Sequence, residues 1–193
     1  MDRRIILAGF AAAVATPALS QTTRMSPSPA QAGTTMGELG QAEMQHMQDT
    51  MRLGSLALES SLLALEKARN RDLKLFAQFE VNEQQTIAEV MRSMMDPAAT
   101  AATASTGTAA AEAPTEAEGR PLIEQLRSAQ IGAAFDRAYL QGQIKGHSDL
   151  LQVQERYIQS NPQNREQLNI AKMALGHIRE HISMLEAMQQ QLR

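Results

Sequence analysis

Residues 177–181 read HIREH, and two imidazoles four residues apart share one face of a helix, a turn from each other. Such a pair holds a transition metal when further donors arrive from neighbouring helices. The chain can supply them. His147 lies between Ile144 and Leu151, and Glu80 and Glu83 interrupt the apolar stripe Phe76–Ile87–Met94, so at least one carboxylate points inward. Glu83, His147, His177 and His181 form the candidate metal set, with Glu59, Glu80 and His46 as further candidates. Nitrogen and oxygen donors of this kind suit iron or zinc. The same residues have a plainer use, because a carboxylate and a histidine facing each other in a core satisfy one another and fix helix register. A structural polar network is therefore the first reading and a metal site the second. HIREH lacks the glutamate directly after the first histidine that the zinc-protease motif requires. Glu43-Met44-Gln45-His46 is the one forward Glu-x-x-His, and a di-iron bundle needs two.

The second set of donors is soft. Met44, Met47, Met51, Met91, Met94, Met95, Met184 and Met188 are eight of the twelve methionines. Counted back from the hairpin turns, all fall near one open end of the structure, level with His46. Thioethers accept Cu(I), although methionine is first of all an adaptable core filler. Cysteine is absent, so disulfides and thiolate sites are excluded together.

Four amphipathic helices must carry these side chains. From Glu38, Met44, Met47, Met51, Leu58, Leu62 and Leu65 recur at three and four as far as Arg69-Asn70. Asp72 can cap a second helix running to Met95, stopped by Asp96-Pro97. Pro121 suits a first turn, and the third pattern runs from there to Ile158. Ser160-Asn161-Pro162 breaks it, and the fourth carries Leu168, Ala171, Leu175, Ile178, Ile182 and Leu185. No alternating run or Asn-Gly turn signals a strand. The expected fold is all-α, an antiparallel up-down-up-down four-helix bundle of two hairpins, at 38–96 and 120–193, joined by a flexible linker. That linker, residues 97–119, is Ala/Thr-rich with nothing large to bury. Taking Asn70 and Asn161 as one end puts Glu59, Glu83, His147 and His177 within about one turn of a common level.

The first twenty residues, MDRRIILAGFAAAVATPALS, read as an export signal cleaved after Ser20. Arg3 and Arg4 precede an apolar stretch too short to span a bilayer, no cysteine stands at the cleavage site for a lipid anchor, and residues 21–37 read as a flexible leader. The expected location is the periplasm or another exported compartment, by the general or the twin-arginine route. A net charge of −3 and 3% aromatic residues argue against nucleic acid as a partner. Ser60 and Ser61 lack an elbow motif, and no Gly-rich turn cradles phosphate.

Two stretches resemble a known family. FDRAYLQGQIKGH (135–147), followed about thirty residues later by a helix ending in histidine, and ESSLLALEKARNRDLKLFAQFE (59–80) resemble the exported bacterial domain-of-unknown-function family 4142. Phe135, Asp136, Tyr139, His147 and His181 match positions the family fills in the same way. Many members carry an Asp-His pair in helix two where this chain has Glu83-Gln84 within FEVNEQQTIAEV (79–90), which is similar to a subgroup with that alternative. The resemblance implies a ferritin-like four-helix bundle and an exported or outer-membrane setting, with no established reaction. The resulting reading is an exported, soluble, non-enzymatic bundle, envelope- or stress-associated by resemblance. Its alternatives are a ferritin-like bundle binding Fe or Zn, less readily Cu, with or without redox activity, and a protein-interaction module. Oligomeric state stays open.

Overall fold

The computed structural model describes residues 39–95 and 119–192, so the expected signal peptide, leader and nearly all of the linker lie outside the described residues. The described residues form five helices and no strand: α1 Gln41–Lys67, α2 Arg71–Met95, α3 Arg120–Ser128, α4 Ala133–Gln159 and α5 Arg165–Gln191. No helix among them is long and apolar enough to cross a membrane.

Each long helix buries residues spaced at three and four. On α1 these include Met47, Thr50, Leu53, Gly54, Ala57, Ser61 and Ala64. Asn70, not the expected Asp72, caps α2: its Oδ1 accepts from the N–H groups of Asp72 and Leu73 at 2.9 and 3.0 Å. Asn164 does the same for α5, accepting from Gln167 N–H at 3.0 Å.

The third helical pattern breaks in two. Ala129 is extended and Gly132 has φ 115°, a left-handed conformation that only glycine adopts without strain. Pro121 sits in the first turn of α3 as expected. The carbonyls exposed at the other end of α3 are taken by α1, whose Lys67 Nζ donates to Leu126 and Arg127 carbonyls, both at 2.7 Å.

The direction of α4 also differs from expectation. Asp136, in its first turn, accepts from the backbone N–H groups of Arg69 and Asn70, both at 3.0 Å, at the turn joining α1 to α2. At the far end Gln167 Nε2 donates to the Glu43 carbonyl at 2.8 Å. The α4–α5 turn therefore lies beside the start of α1. The long helices run up, down, down, up, and Asn70 and Asn161 belong to opposite ends. Along the chain this differs from the expected up-down-up-down order; α1 packs on α2 and on α4, and α4 packs on α5.

The reversal divides the methionines. Met47, Met91 and Met94 are buried together beside Met51, whereas Met188 packs at the other end against the cluster of Phe76, Phe135, Tyr139 and Leu185. Met44, Met95 and Met184 are exposed. The expected single methionine-rich end is thus corrected, because α5 climbs away from its turn toward the Asn70 end.

Candidate metal centre

On α2 the buried stripe is Phe76, Ala77, Glu80, Val81 and Gln84, which aims Glu80 straight into the core. It is 0% exposed, at a depth where an ionised carboxylate costs several kcal/mol unless it is matched. His147 of α4 and His181 of α5 meet it there. His147 Nε2 stands 3.3 Å from Glu80 Oε2, His181 Nδ1 stands 3.2 Å from the same oxygen, and the two nitrogens are 3.1 Å apart. Phe76 closes one flank, with its ring 5.1 Å from that of His181 and 5.8 Å from that of His147.

The opposite edges of the imidazoles are already committed. His147 Nδ1–H donates to the Gln143 carbonyl one turn back, at 2.9 Å, so its Nε2 presents a lone pair. Glu83 Oε2 lies 3.4 Å from His181 Nε2, which leaves Nδ1 facing inward. Gln84 Nε2 donates to Glu80 Oε1 at 2.8 Å, yet Glu80 Oε2 makes no hydrogen bond despite its two near neighbours. Two imidazole nitrogens and a carboxylate oxygen thus converge, with Glu80 and His147 buried and His181 partly so. A proton, such as one on His181 Nδ1 donated to His147 Nε2, or a metal ion relieves the repulsion among them. Metal–ligand bonds of about 2.0–2.2 Å place adjacent donors roughly 3.0–3.5 Å apart, and all three distances fall in that range.

The titration behaviour follows from this convergence. Burial pushes Glu80 upward, but the two imidazoles outweigh it and hold the carboxyl well below its usual range. Burial lowers His181, and the Glu80 and Glu83 carboxylates reverse that, so it binds a proton more readily than a free imidazole. Glu83 is raised, chiefly by burial.

Of the expected donors, His147 and His181 come together, and Glu80, ranked behind Glu83 from sequence, is the central carboxylate. Glu83 flanks the triangle through His181. His177 is 57% exposed, with Nδ1 3.8 Å from Glu83 Oε1, and lies outside the core. Glu59 pairs with Arg127 at 2.8 Å. His46 is buried far away, donating through Nε2 to Gln154 Oε1 at 2.7 Å and accepting through Nδ1 from Gln167 Nε2 at 2.8 Å. Four buried glutamines had no role assigned from the sequence: Gln84, named only as part of the helix-two motif, and Gln143, Gln154 and Gln167. Their signal was present: each falls on an apolar stripe at helical spacing from a candidate histidine or glutamate.

Residues 26–188 match the family described as Domain of unknown function (DUF4142). No curated protein and no solved structure matches the chain.

Proposed function

The chain belongs to the DUF4142 family, and from the geometry of its polar core we propose that it is an exported, ferritin-like bundle that binds one transition-metal ion. The observation that carries this reading is Glu80 Oε2, fully buried, without a hydrogen bond, and flanked by two imidazole nitrogens at 3.2 and 3.3 Å. Glu80, His147 and His181 are the ligands. Glu83 and the Gln143 carbonyl orient the imidazoles from behind, the outer-shell arrangement usual at histidine-ligated metals. An up-down-down-up path with one long connection supports the ferritin-like assignment. Two nitrogens and one oxygen favour Zn(II) or Fe(II), and the exported setting follows from the signal-like first twenty residues. The bound ion would supply charge to the core and a Lewis acid. The family carries no reaction with it, and binding is the function proposed.

The test is thermal unfolding with Zn(II) and Fe(II), together with metal analysis of protein taken from its native compartment. An ion at a hundredfold excess over its Kd should raise Tm by about 5–10 °C. Glu80→Gln, which keeps the shape and removes the charge, should abolish the rise. Affinity should fall as pH drops through the raised titration range of His181, because an imidazole must be unprotonated to coordinate. If no ion shifts the midpoint and the native protein holds none, a shared proton fills the triangle and the reading is lost.

A further inference from the structure

Glu80 is not free to choose how it presents its oxygens. Oε1 is tied to Gln84 Nε2 at 2.8 Å, one turn along the same helix, while Oε2 is the oxygen that faces both imidazoles. Gln84 is confined in turn. It is 6% exposed, and its Oε1 lies so close to Gly54 of α1 that a Cβ at that position would collide with it. The α1 backbone is the wall, Gln84 the strut and Glu80 the donor that the strut holds.

We propose that Gly54 and Gln84 keep Glu80 a one-oxygen ligand and thereby set the coordination number of the centre. With three protein donors and one carboxylate oxygen withheld, the centre favours small ions content with four ligands, Zn(II) and Co(II), with the fourth position left to an exogenous donor. Larger ions that gather six or more oxygens, such as Mn(II) and Ca(II), lose the second carboxylate oxygen they would use. Gly54 and Gln84 do not touch the ion and act as positioning residues. The inference rests on the metal-binding reading above.

Cobalt makes the geometry visible, because four-coordinate Co(II) absorbs visible light far more strongly than five- or six-coordinate Co(II). Titrating Co(II) into the full chain should give strong bands. Gly54→Ala, which displaces the Gln84 amide, and Gln84→Met, which removes it at nearly constant volume, should each still bind Co(II) with bands weakened severalfold. Competition should shift toward Mn(II) over Zn(II) by about tenfold in both. Either variant decides the matter if the other does not fold. Weak bands from cobalt-loaded wild type overturn the proposal, as do unchanged spectra and competition in the variants. If wild type takes up no Co(II), Zn(II) or Fe(II), it is the metal-binding reading that fails, by a different result.

Discussion

His46 and His147 are both almost wholly buried, and the two imidazoles have opposite prospects. His46 has an amide on each side, one accepting from Nε2 and one donating to Nδ1, and it stacks on Tyr157 with centroids 4.0 Å apart. Both of its nitrogens are spent, in one neutral tautomer. His147 gives Nδ1–H to a backbone carbonyl and turns Nε2 toward a second imidazole at 3.1 Å and a carboxylate at 3.3 Å. Burial alone therefore does not make a histidine a ligand. What decides is whether a lone pair is left over and what other donors share its space.

The comparison can be broken most forcefully at Glu80. Glu80→Ala strands the buried His147 and the half-buried His181 and should cost about 3–5 kcal/mol in denaturant titration, with all metal response lost. His46→Ala leaves Gln154 and Gln167 without their shared partner and should cost about 2–3 kcal/mol, while the metal-induced rise in Tm stays intact. If the His46 change abolishes that rise as well, the two clusters are one coupled network.

Acidity separates the clusters by sign. Burial lowers His46, so the folded state takes up its proton less readily than the unfolded chain. Its contribution is full above about 6.5 and is lost as pH falls below that value. His181 is raised, so its contribution is full below about 6.5 and is lost as pH rises through its folded value. In metal-free protein, His46→Gln should flatten the stability profile on its acid side, below about pH 6.5, and His181→Gln should flatten it on its alkaline side. Profiles that change on the same side would show that the clusters share one protonation event. The smallest effect belongs to His177, whose removal by His177→Ala should change stability by less than about 0.5 kcal/mol and leave metal affinity alone.

Much of this was legible in the sequence, and the failures have physical causes. The three-and-four periodicities located four long helices, and HIREH with His147 named two histidines that meet in the fold. The assumed common end for Asn70 and Asn161 was wrong, since periodicity fixes the face of a helix and carries no information about its direction. The error did little harm at the centre because Glu83 is the middle residue of α2 and His147 lies next to the middle of α4, so either direction brings them level. It did its damage at the ends, where the methionines were gathered wrongly. Glu80 and Glu83 are one turn apart on the same stripe, and only the packing of α1 and α5 against α2 selects Glu80 for the interior. The break before α4 was marked by Gly132 alone, a residue whose left-handed backbone is visible only once the chain is folded.

The three donors are also divided along the chain. Glu80 comes from the α1–α2 pair, and His147 and His181 both come from the α4–α5 pair. A cation among them would be a reversible cross-link between two halves that each hold an incomplete set. Were the backbone severed between residues 95 and 119, the two pieces would bind each other more tightly as free metal rose and part when a chelator removed it. Their association constant would then report the concentration of the ion, with α4 and α5 as receptor and α2 as the reporter that docks.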